Sequence, residues 1–158
     1  MKRTIVLVVA LILAFAATPA LAESGHFIES GANAPVCTDV GTTVECEGKV
    51  SGLGGTTFEI TVLAEGTASL VCANPGQNTD VPGQRGVVTS GSTGVELTPT
   101  NGQYTFTGAD VSTAEPTVAF TCPNAKWTQT VTDVVFTEAT LTLFEDGAVS
   151  DSVTVAVQ

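Results

Sequence analysis

Beyond the first twenty or so residues, hydrophobic and polar positions alternate with a period of two, and no window carries a convincing helical stripe. Between Thr43 and Leu53, Val44, Cys46, Gly48 and Val50 fall on one face of an extended strand. Phe58, Ile60 and Val62 repeat the pattern, with Thr57, Glu59 and Thr61 turned the other way. Ala68, Leu70 and Cys72 follow, then Tyr104 and Phe106, then Val118, Phe120 and Cys122. The last third reads as strands over Trp127 to Phe136, Ala139 to Phe144 and Val149 to Val157. Turn signals separate these runs at Gly54-Gly55, Glu65-Gly66, Asn101-Gly102 and Asp146-Gly147. Asn101-Gly102 and Asp146-Gly147 are the strongest hairpin signals, because both members of each pair tolerate positive φ. Residues 74 to 86, NPGQNTDVPGQRG, show no alternation and predict the longest irregular loop. Short strands at this spacing predict an all-β fold, an antiparallel β-sandwich, with an up-and-down barrel as the alternative.

The first residues break the pattern. Lys2 and Arg3 precede an uncharged apolar run from Ile5 to Ala17, and Thr18-Pro19 ends it before Ala20-Leu21-Ala22. This predicts a secretory signal peptide over 1–22, cleaved after Ala22, rather than a membrane span, which needs about 20 apolar residues. No cysteine follows the cleavage point and SVTVAVQ closes the chain, so no membrane anchor is expected. The mature chain is expected to be secreted, extracellular or periplasmic. It comprises a flexible arm over 23–34 and one β domain over 35–158. The formal net charge is −11, and Lys49, Arg85 and Lys126 are the only basic residues after the leader. Such a chain repels phosphate backbones, so nucleic acid is not an expected partner.

Four cysteines, Cys37, Cys46, Cys72 and Cys122, are spaced by nine, twenty-six and fifty residues. No Cys-x-x-Cys occurs, and His26 is the lone histidine. A zinc site wants clustered cysteine or histidine, and a nucleophilic cysteine wants a histidine base. An even count behind a leader points to disulfides. Cys72 and Cys122 each end a strand-like run just before an Asn/Pro turn, and Cys37 and Cys46 flank a stretch that folds back at Gly41. The expected pairs are Cys37–Cys46 and Cys72–Cys122. Loop closure assigns them about 2.7 and about 4 kcal/mol at the upper end.

Little else carries chemistry. The sequence lacks a nucleophile elbow and a phosphate loop, and no enzyme activity or cofactor is expected. Glu145, Asp146 and Asp151 surround one hairpin turn and are weak calcium candidates, since calcium wants six to eight oxygens and this spacing matches no EF-hand loop. The expected binding surface is the 74–86 loop, through Asn74, Gln77, Asn78, Asp80, Gln84 and Arg85, held beside a disulfide. Trp127 is expected to pack on the Cys72–Cys122 bridge, and Tyr104 is open to either a core or a sugar-stacking role.

The segments VECEGKVSGLGG, SLVCANPG and CPNAKWTQTVTDVVFTEATLTLFEDG resemble uncharacterised small secreted bacterial proteins with an immunoglobulin-like sandwich. In those, a Cys-Pro-Asn-x-x-Trp element leads into a long Thr-Val hairpin; Ala125-Lys126 departs from the Pro-Asn found there. The resemblance spans most of the mature chain and implies an immunoglobulin-like fold without implying an activity. The expected role is a non-catalytic binding or structural module for an extracellular protein or glycan, with a carbohydrate- or calcium-binding module as the alternative and a hydrolase further behind.

Overall fold

The computed structural model describes residues 24–76, 79–92, 94–118 and 122–158, with the backbone alone for 79–85 and 109. The predicted leader, 1–22, lies outside the described residues, as does Phe120. Nine strands follow in order: β1 (His26–Phe27), β2 (Val36–Asp39), β3 (Val44–Ser51), β4 (Phe58–Ala73), β5 (Thr79–Gly91), β6 (Val95–Glu96), β7 (Gln103–Ser112), β8 (Thr128–Glu145) and β9 (Ala148–Ala156). The only helical piece among the described residues is the 3-10 turn Gly31–Asn33. The fold is all-β, with antiparallel pairing throughout both sheets.

Sheet A has β3 at its centre. β1 and β2 pair along one side of it and β7 along the other. Sheet B runs β5, β4, β8, β9, with β6 also on β4, and curls into a half-barrel. The curl has a local cause. The β4–β8 register shifts between Glu65 and Gly66 and again between Ser69 and Leu70, and such bulges bend a strand and sharpen its twist. A Cβ on Gly66 would stand 2.7 Å from the Val135 carbonyl oxygen and 2.9 Å from Phe136 Cα, so only glycine fits there. Glu65-Gly66 is therefore a bend inside one long strand, not the turn its composition predicts. Likewise Trp127 to Phe136 and Ala139 to Phe144 merge into β8.

The alternation places its apolar faces inward as expected. Ile60, Val62, Ala64 and Ala68 of β4 and Val134, Phe136, Ala139, Leu141 and Leu143 of β8 are buried against Val44, Cys46, Val50, Phe106 and Val111 of sheet A. The sheets join at one corner, where β2 meets the chain end in parallel. Cys37 bridges Val157, the Asp39 N–H donates to the Gln158 carbonyl at 3.0 Å and the Gln158 N–H to the Cys37 carbonyl at 3.0 Å. Cys37–Cys46 links facing residues of β2 and β3 inside the core.

Two expectations change. Residues 24–34 do not hang as a loose arm: β1 pairs with the end of β3, and Phe27 is in the core, meeting Phe106 edge to face at 6.1 Å. A two-residue strand is too short for periodicity to reveal. The 74–86 stretch is mostly strand, because β5 begins at Thr79 and pairs with β4. Pro82-Gly83 reads as a turn but falls where the β4–β5 register shifts between Leu70 and Cys72, and β5 is an edge strand, the place where a sheet accepts proline.

β4, β5 and β8 are the longest strands, and Leu70, Cys72 and Cys122 at their far end are buried outside the main core cluster. There the inner face of sheet B meets the segment after β7. The Ala114 N–H donates to the Gly91 carbonyl at 3.0 Å, and the Ser90 hydroxyl donates to the Ala114 carbonyl. Val118 packs close to Gly86. The Cys72–Cys122 disulfide fastens this strap to β4.

Candidate functional site

The three calcium candidates sit at the β8–β9 hairpin, turned by Asp146 (φ 50°) and Gly147 (φ 82°) as predicted. Most of their oxygens accept from N–H or O–H donors. Glu145, 1% exposed, accepts from the Gly25 N–H (2.8 Å) and the Ser150 hydroxyl (2.8 Å) on Oε2, and from the Gly54 (2.9 Å) and Gly55 (3.1 Å) N–H groups on Oε1. Asp146 Oδ1 accepts from the Thr56 N–H (2.9 Å) and hydroxyl (2.7 Å) and from the Thr57 N–H (2.9 Å). Asp151 accepts from the Phe27 N–H at 2.8 Å. A Cβ on Gly25 would lie 2.7 Å from Glu145 Oε2, so a glycine is needed for the approach.

This ring of N–H and O–H donors welcomes carboxylate charge. Burial pushes the Glu145 carboxyl up, but the Gly54, Gly25 and Gly55 N–H groups and the Ser150 hydroxyl outweigh it and hold it below its ordinary value. The Thr56 hydroxyl and the Thr57 and Thr56 N–H groups lower Asp146 to about 2. The hairpin acids thus form a clasp that ties β1 and the β3–β4 loop to sheet B. Among the described residues, no three His, Cys, Asp or Glu side chains converge as metal ligands.

The expected loop surface is dispersed. Asn74 caps a tight turn by accepting from the Gly76 N–H at 2.9 Å. Gln77 and Asn78 lie outside the described residues, and Asp80, Gln84 and Arg85 are positions of β5, with Gln84 opposite Leu70 and Arg85 opposite Ser69. Trp127 is half-buried and stands outside the core cluster. Its backbone N–H donates to the Asn124 carbonyl at 2.9 Å, closing the turn after Cys122.

A different set of residues meets on the outer face of sheet A. Pairing puts His26 beside Ser51, Ser51 beside Gln103, and Lys49 beside Thr105. The Asn101-Gly102 turn (φ 53° and 69°) folds Thr100 back onto Gln103 through two backbone hydrogen bonds, at 2.9 and 3.1 Å. Together Lys49, Thr98, Thr100, Gln103, Tyr104 and Thr105 line an open groove of about 320 Å³. The residues that line the groove with Lys49 are all uncharged. At its flank the Ser51 hydroxyl and His26 Nε2 are 3.1 Å apart, and His26 Nδ1 is 2.9 Å from the Ser24 carbonyl. A carbonyl can only accept, so Nδ1 carries hydrogen, and in the neutral ring the Ser51 hydroxyl donates to Nε2.

The sequence signal for this groove is faint. Lys49 is conspicuous as a rare cation in an alternating strand, but which residues stand beside it depends on the pairing of β3 with β7, more than fifty residues away. The chain matches no protein-family model, and no curated protein and no solved structure matches it significantly.

Proposed function

We propose that this is an exported, non-catalytic binding module, extracellular or periplasmic, on an immunoglobulin-like sandwich plan, and that the outer face of sheet A is its contact surface for a glycan. The leader-like start and two disulfides support export, since such bonds persist in oxidising compartments. Among the described residues no helix is long and apolar enough to cross a membrane. The observation that carries the reading is the groove itself: an ammonium, three threonine hydroxyls and a primary amide along one shallow depression. Such a set offers both donors and acceptors to a polyhydroxylated ring; Tyr104, opposite Val50, packs its ring against the core instead. A protein partner is the second reading. It rests on Val87, 87% exposed, and Val135, 58% exposed, which flank Thr67 across three strands on the outer face of sheet B.

Retention of the purified protein on a panel of immobilised neutral and acidic polysaccharides tests the proposal. At least one polysaccharide is expected to retain it, and the double substitution Gln103→Ala, Thr105→Ala is expected to abolish retention without changing the melting temperature. Absence of retention on the whole panel, or retention indifferent to that double substitution, removes the assignment.

A further inference from the structure

We infer that the sheet A groove takes an acidic sugar, a hexuronate unit whose carboxylate meets the Lys49 ammonium; this rests on the glycan reading above. The chain carries a formal net charge of −11, so a bare anion approaches against the field of the whole molecule. That field is screened over about 8 Å at physiological salt, and the local charge then decides. In the groove lining the one charge is Lys49, among Thr98, Thr100, Gln103, Tyr104 and Thr105, while Glu47, two residues earlier on the same face of β3, lines the adjoining depression with Thr105.

One ammonium suits one carboxylate. Phosphate and sulfate esters are most often held by arginine forks, several cations or a nest of N–H groups, a lysine alone serving as a point charge, and Lys49 is the one cation in this lining. A simple carboxylate would leave the hydroxyls of Thr98, Thr100 and Thr105 and the Gln103 amide without a role. A sugar acid uses both halves of the lining. The groove volume of about 320 Å³ is at the lower end of small-ligand sites, about 300–1,000 Å³, which fits one or two rings. Ser51 and His26 continue the same outer face beyond Gln103, so a further ring along the chain would meet a hydroxyl and an imidazole there.

Isothermal titration calorimetry of the purified protein with trigalacturonate, and with neutral trigalactose as its uncharged counterpart, tests this. The acidic trimer is expected to bind more tightly, with an affinity that falls as salt is raised. Lys49→Gln is expected to weaken it about ten- to hundredfold, in keeping with the loss of one charge-assisted hydrogen bond. Lys49→Arg, which keeps the charge, is expected to retain most of the affinity, and Lys49→Gln should weaken the acidic trimer more than the neutral one. Equal binding of both trimers, or acidic binding untouched in Lys49→Gln, overturns the uronate assignment and leaves the glycan reading standing. Binding of neither trimer overturns the uronate assignment, while the polysaccharide panel decides the broader reading separately.

Discussion

Glu145→Gln is expected to cost about 3 kcal/mol and to lower the melting temperature by about 10 °C, although it changes one atom of a side chain that touches no ligand. Both Glu145 oxygens accept hydrogen bonds, four in all, three of them from backbone N–H groups that have nowhere else to turn. A glutamine presents an NH₂ to one pair of those donors, leaving them unsatisfied in a buried site, and weakens the bonds on the other side by removing the charge. The damage should be local in a recognisable way. Amide exchange at Gly25, Gly54 and Gly55 should accelerate and β1 should become open to proteolysis. A melting temperature within about 2 °C of the parent, with unchanged exchange at these amides, would show that the clasp contributes little.

The same clasp sets the acid limit. Glu145 and Asp146 are both held below their ordinary carboxyl values, Asp146 at about 2 against 3.8. A carboxyl depressed in the folded state stabilises fully above its unfolded pKa, and that contribution disappears as pH falls through the folded value. Stability should therefore be flat from neutral pH to about 5 and decline below about 4. The deficit of Glu145→Gln should shrink over the same acid range, because the parent carboxylate is then being protonated.

Removing the Cys72–Cys122 bridge by a double alanine substitution is expected to cost more than removing Cys37–Cys46. Closing fifty residues rather than nine constrains the unfolded chain by about 4 against about 2.7 kcal/mol. The native context points the same way. Cys37 and Cys46 face each other across β2 and β3, where the strand ladder already holds them together. The Cys72–Cys122 bond fastens an irregular strap beneath the far end of sheet B, beside Leu70 and Val118. Without it, exchange should rise in Ser69–Ala73 of β4 and Thr128–Asp133 of β8 well before it rises at Ile60 or Leu141. Equal losses from the two substitutions, measured by urea unfolding, would contradict this division of labour.

What the sequence discloses and what it conceals follow from the range of each signal. Period-two alternation identified the inward faces of β3 and β4, because side chains of a strand alternate whatever it pairs with. Asn101-Gly102 and Asp146-Gly147 identified two turns through their tolerance of positive φ, which is a property of the residues themselves. Cys72–Cys122 followed from cysteines that end strand-like runs, and Cys37–Cys46 from a stretch that folds back at Gly41. Glu65-Gly66 and the 74–86 stretch misled for one reason: one looks like a turn and the other like a loop, and each holds a bulge whose existence depends on the neighbouring strand. The hairpin acids misled similarly. Oxygens clustered in sequence resemble a cation site, but their partners are the N–H groups of Gly25, Gly54 and Thr56, brought in from about ninety residues or more away. The groove around Lys49 was hidden because it is assembled from β3, β7 and the β6–β7 connection, and no local pattern encodes register between them.

The most direct test of the central claim, that the ligand surface is the outer face of sheet A, is an amide chemical-shift map of the isotopically labelled protein titrated with trigalacturonate. The account predicts saturable shifts at Lys49, Thr98, Thr100, Gln103 and Thr105, with the Glu145–Asp151 hairpin and the Asn74 turn unmoved. Shifts centred on that hairpin or on residues 74–86, or no saturable shift at Lys49 and its neighbours, would contradict it.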